Sequence, residues 1–311
     1  MIDPQAQAIL DATNAGPPLD QLGVDGAREW SASRPRAGTP TPVARVADIA
    51  AAAGRPRLRV YQPDPSRRLP VIVFAHGGGW ILGSLDGADE TCRRIASYSG
   101  CAVVSVDYRL APEYPHPAAV TDICRAVDEL PALADGENLD AAAVALAGES
   151  SGAQAAVAAA MVLAGRGDRA LKGLLLACPP VDRTLDTPSW VSYGDDCIPR
   201  RSQMKWMWDL YLGADDEYLA GAPDPASGDL AGLPPSIVLV AEYDPLRDEG
   251  AALARRMRDA GVAADLVEAA GQIHPVIGYA PLMPSCDRYL RQVATALAGL
   301  VTTGGVSNDA R

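Results

Sequence analysis

Two serines stand side by side between glycines in ALAGESSGAQ, residues 145–154, directly after the alternating run Val144-Ala145-Leu146-Ala147. A serine becomes a nucleophile when a base takes its proton and preorganised donors hold the oxyanion that its attack creates. The frame Gly-x-Ser-x-Gly fits here in one way. Gly148 and Gly152 flank Ser150, whereas a frame centred on Ser151 would put the side chains of Glu149 and Ala153 where the turn needs close backbone approach. A strand-to-helix turn of this kind lifts the central hydroxyl clear of its sheet. Ser150 is therefore the candidate nucleophile, and the Ser151 N–H at the start of the next helix is a candidate oxyanion donor. The plain alternative is a polar turn before an alanine-rich helix.

Support comes from AHGGGW, residues 75–80. Three successive glycines cost conformational entropy, so they are expected where backbone must approach something closely. The N–H groups of Gly77 and Gly78 can join that of Ser151 around a tetrahedral intermediate, and one such donor is typically worth ~3 kcal/mol. The base of a serine nucleophile is nearly always histidine, and the chain has three. His76 belongs to the glycine loop and reads as its support. His116 lies between two prolines and reads as structural. His274, in AAGQIHPVIGY shortly after the run ADLVEAA, is the remaining candidate. Its orienting acid should end an earlier strand. SIVLVAEYDPLRDE offers Asp244, with Pro245 stopping the strand behind it, and Glu242 as a rival. Asp248 and Glu249 fall in the next helix, where acids in the first turn commonly serve the helix dipole.

These residues need elements to hold them. LRVYQP, PVIVFA, CAVVSVDYRL, VALAGES, LKGLLLACPP, SIVLVAEY and ADLVEAA read as strands. ADETCRRIASYSG, PAAVTDICRAVDELPAL, SGAQAAVAAAMVLAGRG and RDEGAALARRMRDAG read as helices between them. Strands that are apolar throughout, alternating with amphipathic helices, predict an α/β fold with a mostly parallel sheet covered on both faces. About 55 residues between Pro180 and Ser236 break this rhythm and carry Trp190, Tyr193, Trp206, Trp208, Tyr211 and Tyr218, in a protein with one Phe. An insertion of that length predicts a lid more readily than a plain loop. Residues 1 to about 56 are rich in Pro, Gly and Ala with a short helical stretch near Asp25–Ser33, and residues 302–311 read as a frayed tail.

Composition excludes several classes. A net charge of −12 and a pI near 4.7 argue against nucleic acid or an anionic membrane as partner. No stretch approaches the ~20 apolar residues of a membrane span, and the N-terminus lacks the basic and apolar regions of a signal peptide, so the cytoplasm is the expected location. The six cysteines are scattered without CxxC spacing and read as buried, reduced thiols, with Cys197 in the most polar segment and hence the most exposed. No metal site and no cofactor are expected.

The stretches HGGGW (76–80), DYRLAPEYPHPAA (107–119), GESSG (148–152), DPLRDEG (244–250) and the IH of GQIHPVIGY together resemble the hormone-sensitive lipase-like branch of the α/β-hydrolases, from about residue 57 to 300. Ser, Asp and His follow one another in that fold's order. The resemblance implies an α/β-hydrolase fold with a sheet of about eight strands, a Ser150–His274–Asp244 triad, and an oxyanion hole from Gly77, Gly78 and Ser151. It further implies a core of residues 51–182 and 233–301, and a cap from residues 1–50 plus 183–232. The elbow often reads GDSAGG in this family; here Glu149, Ser151 and Ala153 add bulk beside the nucleophile. The Ser151 hydroxyl is read as a helix cap first and a substrate contact second. The expected function is a serine carboxylesterase acting on small-molecule esters with short to medium acyl groups. An amidase or N-deacetylase, a natural-product hydrolase or cyclase, and a non-catalytic binder are the alternatives. Trp30, Trp80, Trp190, Trp206 and Trp208 are candidate pocket-lining residues on location alone. Relatives often dimerise, so a homodimer is the assembly expected.

Overall fold

The computed structural model describes residues 1–33, 38–52, 54–167, 171–213 and 224–303. Tyr218 and all but the first two residues of the sequence-predicted tail lie outside them. Eight strands form one sheet: β1 (Arg45–Ile49), β2 (Arg57–Gln62), β3 (Leu69–Ala75), β4 (Ala102–Asp107), β5 (Leu139–Glu149), β6 (Leu171–Ala177), β7 (Ser236–Tyr243) and β8 (Ala264–Ile273). Their order is β1-β2-β4-β3-β5-β6-β7-β8; β1, β2 and β4 pair antiparallel and all later neighbours pair parallel. Strands β2 to β8 are the seven runs read from the sequence. β1 was hidden in the Pro- and Ala-rich N-terminal region, because its RVADI is too short and too polar to stand out; only pairing against β2 makes it a strand.

The apolar runs fill both faces of the sheet by simple alternation. Val71 and Val73 join one core cluster, while Ile72 and Phe74 between them join the other. The first face is covered by α4 (Ala118–Asp128), α5 (Leu130–Glu137), α6 (Ser151–Gly165) and α9 (Arg247–Asp259). The second is covered by α1 (Pro4–Asn14), α3 (Asp89–Ser99) and α10 (Pro284–Thr303). The single helix expected over PAAVTDICRAVDELPAL is two, α4 and α5, with Pro131 at the head of the second. Fully burying each Val, Leu or Ile contributes roughly 1.5–3 kcal/mol, which is why these runs specify the layers.

A third apolar cluster lies apart from the sheet faces. It joins Ala27 of α2 (Leu19–Ser33) to Trp190 of α7 (Pro188–Tyr193) and to Met204, Met207, Trp208 and Tyr211 of α8 (Arg201–Leu212). Trp80, Ile81 and Leu82 of the loop after β3 belong to the same cluster. α2 and the insertion after β6 thus pack together against the loop after β3. Among the described residues no helix is long and apolar enough to cross a membrane.

Candidate active site

The strand order places two loops side by side. From β3 the chain moves outward to β4, then returns across β3 to lay β5 on its other side, so the loops after β3 and β5 leave the sheet where its winding reverses. Such a point opens a crevice at the carboxyl edge. The loop after β3 is the glycine loop, and the turn after β5 carries Ser150.

That turn needs its glycines for space. A Cβ on Gly152 would lie 2.2 Å from the carbonyl oxygen of Ala75, and one on Gly148 would lie 2.3 Å from that of Gly152. Ser150 itself has φ 54° and ψ −127°, a left-handed conformation that costs a side-chain-bearing residue energy. Its N–H donates to Ala177 O at 2.8 Å, and its carbonyl accepts from Ala153 and Gln154 as α6 begins.

The Ser150 hydroxyl lies 3.0 Å from His274 Nε2, and His274 Nδ1 lies 3.0 Å from Asp244 Oδ2. Asp244 is fully buried, and its Oδ1 accepts the Leu246 N–H at 2.8 Å. With Asp244 as carboxylate, Nδ1 carries the proton and Nε2 is left to accept from serine. Burial disfavours the imidazolium, but the charge and hydrogen bond of Asp244, with Glu149 adding to them, outweigh it and hold the His274 pKa above its ordinary value. The rival Glu242 instead accepts the Gly271 N–H at 2.7 Å, joining β7 to β8.

The glycine loop closes the other side. Gly77 packs so tightly on the turn that a Cβ there would sit 3.1 Å from Glu149 O and 3.4 Å from the Ser150 Cβ. Gly78 has φ 131°, and a Cβ on it would strike Leu82 O at 2.3 Å. His76 supports this loop, as its sequence position predicted: Nδ1 donates to Gly77 O at 2.9 Å and the ring stacks on Tyr108. Burial lowers its pKa and keeps it neutral. Tyr108 in turn donates its hydroxyl to His76 O at 2.8 Å. His116 bonds Tyr211, also away from the chemistry. The N–H of Ser151 is the first of those a helix start leaves unpaired. Its hydroxyl is buried beside Tyr108 and does not cap α6.

A cavity of about 350 Å³ opens over these groups, lined by Gly77, Gly78, Glu149, Ser150, Ser151 and His274. Further lining comes from residues 13, 14 and 16–19, Trp30 and Ser31, and from residues 198–200, Gln203, Met204 and Met207. Of the candidate pocket tryptophans, Trp30 lines it. Trp80, Trp190, Trp206 and Trp208 do not; they face the third apolar cluster, where Trp80 stacks on Tyr211 and donates its indole N–H to Gln154. Aromatic content marks a buried face without saying whether the face meets a cavity or another helix.

Two buried carboxyls escaped the sequence reading. Glu249, read from the sequence as a partner of the α9 dipole, is 2% exposed and accepts from Val181 N, Asp182 N and Trp190 Nε1 at 2.5, 2.7 and 3.0 Å. Glu149 accepts the Gly278 N–H at 2.8 Å. The sole signal for the second was its place beside Ser150. Cys197, expected to be the exposed thiol, is buried between the insertion and the second core cluster. Cys178, Asp244 and His274 hold three ligand atoms within 4.8 Å of one another. Asp244 and His274 already bond each other, and burial keeps the Cys178 thiol protonated.

Sheet, turn and glycine loop together define a class, and the comparisons with known proteins agree with it. The α/β-hydrolase-fold family matches residues 72–278, and the chain belongs to that family, in its hormone-sensitive lipase-like branch. The carboxylesterase NlhH of Mycobacterium tuberculosis is 36% identical over 238 residues, 73% of each chain. The ethyl acetate hydrolase of Pseudomonas putida is 32% identical over 245 residues, 77% of each. The crystal structure of a thermostable esterase from Pseudomonas putida ECU1011 superposes with a TM-score of 0.87 at 31% identity, covering 96% of this chain and 98% of that one.

Proposed function

We propose that the protein is a serine carboxylesterase in which Ser150 is the nucleophile, His274 the base and Asp244 the residue that orients it. The observation that carries this reading is the continuous hydrogen-bonded run from Ser150 through His274 to Asp244 on the wall of a cavity. Ser150 Oγ attacks the acyl carbon as His274 Nε2 takes its proton. The carbonyl oxygen gains the negative charge and is held by the N–H groups of Gly77, Gly78 and Ser151. Collapse expels the alcohol with the proton from His274. Water, activated by the same imidazole, then releases the acid from the acyl-enzyme.

The cavity's size favours small and medium acyl groups, and a relative named for ethyl acetate supports the same range. Residues 1–50 and 183–232 are proposed as the cap, since both contribute lining to the cavity that holds Ser150. The buried, unpaired thiols fit a reducing compartment, and the cytoplasm is the proposed site of action.

The test is a fluorophosphonate reaction followed by mass spectrometry, with turnover of p-nitrophenyl esters of increasing acyl length. An adduct on Ser150, lost in Ser150→Ala and slowed sharply in His274→Ala, is expected. Turnover is expected to peak below long acyl chains. A folded protein that leaves Ser150 unmodified would overturn the reading.

A further inference from the structure

Glu149 ends β5 immediately before Ser150, and it is one of the residues that line the same cavity. It is 7% exposed and meets no Lys or Arg side chain among its hydrogen-bond partners; its bonds go to backbone. Oε1 accepts the Gly278 N–H at 2.8 Å, and the Ile277 N–H faces the carboxylate as well. On the other oxygen, a Cβ added to Gly278 would come within 2.7 Å of Oε2. The backbone around Gly278 is therefore pressed against this carboxyl, with no room for a side chain between them.

Gly278 lies four residues beyond His274 on one short loop. A closed ring of contacts results. Ser150 meets His274, the loop runs from His274 to Gly278, Gly278 returns to Glu149, and Glu149 is bonded covalently to Ser150. One carboxylate thus fixes the distance between the turn carrying the hydroxyl and the loop carrying the imidazole. It also places a second negative charge, after Asp244, near the His274 ring.

We propose that Glu149 is a positioning residue for the base: its carboxylate clamps the His274 loop onto the Ser150 turn, and its charge supports the imidazolium that forms during catalysis. This rests on the esterase reading above. The groups that face Glu149 are His274 on the loop after β8, Asp244 after β7, Cys178 after β6 and Cys286 on α10. His274 alone among them can carry positive charge. Burial pushes the Glu149 pKa up to about 7 against the opposing backbone bonds and His274, and the Glu149 charge in turn helps to hold the His274 pKa up. When Glu149 is charged it raises the His274 pKa, so removing the charge lowers the pH at which the base becomes available.

The experiment compares Glu149→Gln, Glu149→Asp and Glu149→Ala. Two readouts are used: the pH profile of kcat/KM on one short-chain ester, and the low-field proton NMR signal of the His274 Nδ1–H. In Glu149→Gln the acid limb and the NMR titration should both move lower, by about one pH unit, with kcat falling about tenfold. Glu149→Asp keeps the charge but shortens the reach, so the limb should stay near that of the parent while kcat falls. Glu149→Ala should lose about a hundredfold and move the limb as Gln does. Gly278→Ala pushes the loop off the carboxyl from the other side, so it tests the clamp if a Glu149 variant does not fold; a fall in kcat is expected. A limb and an NMR titration that stay fixed in Glu149→Gln, with kcat unchanged, would overturn the proposal. Absence of turnover by the parent protein on every ester would instead sink the esterase reading, and the NMR titration would still decide on the clamp.

Discussion

At Asp244 one buried carboxylate serves two partners: Oδ1 fixes the turn through Leu246 N–H and Oδ2 fixes the imidazole through Nδ1–H. Asn in its place keeps the shape but can put an amide N–H₂ where His274 needs an acceptor. The imidazole then takes the wrong tautomer, with its proton toward Ser150. Asp244→Asn is therefore expected to lower ester turnover about 10⁴-fold while the protein stays folded. A loss of tenfold or less would move the orienting role elsewhere. The parent pH profile follows from the same group. The proposed base, His274, is competent only when neutral, and its pKa is held above the ordinary value, so activity is expected to fall as pH drops through that raised pKa. The sequence made Ser150, His274 and Asp244 legible because each has a local signature: a glycine frame, a place after the last strand, a strand stopped by proline. Glu249 had none, and Glu149 had only its place beside Ser150. Whether a carboxyl is solvated or buried depends on backbone N–H groups that only tertiary contact brings to it.

Among the elements, the insertion after β6 shows most clearly what pattern reading can and cannot do. α8 buries Met204, Met207, Trp208 and Tyr211, the i, i+3, i+4, i+7 stripe of an amphipathic helix. The stripe is legible; its division is not. The two methionines reach the cavity, while Trp208 and Tyr211 pack beside Trp80. α7 is tied down differently, by Trp190 Nε1 on Glu249 of α9 and by Ser189 on the Pro245 carbonyl. Truncating Glu249 would leave two backbone N–H groups and an indole N–H buried without their acceptor. Glu249→Ala is expected to destabilise the protein by about 3 kcal/mol. Thermal and urea unfolding will measure it, and a change under about 1 kcal/mol would mean that water or another group takes over the three donors. β1 was missed for the opposite reason: its pairing with β2 comes from register, not from its own residues.

Across the whole molecule, the alternation of apolar residues along the strands accounts for the two-faced sheet, and it was readable throughout from Leu58 onward. All six cysteines are buried and unpaired. Burial pushes the thiols of Cys92 and Cys286 up to about 12, so neither supplies thiolate at neutral pH. A colourless aromatic disulfide reagent should therefore react little with the folded protein and titrate six thiols once the protein is denatured. Rapid reaction of even one thiol in the native state would show an opening large enough to admit the reagent. Reducing agent, for the same reason, should leave the melting temperature unchanged.

The left-handed backbone of Ser150 sets the needs of the turn against the side chain it carries. Glycine adopts that conformation freely, so at this one site the residue that relaxes the fold and the residue proposed to perform the chemistry are different. Replacing Ser150 by glycine would relieve the strain in the turn and remove the proposed nucleophile with it, so the fold alone does not call for a serine here.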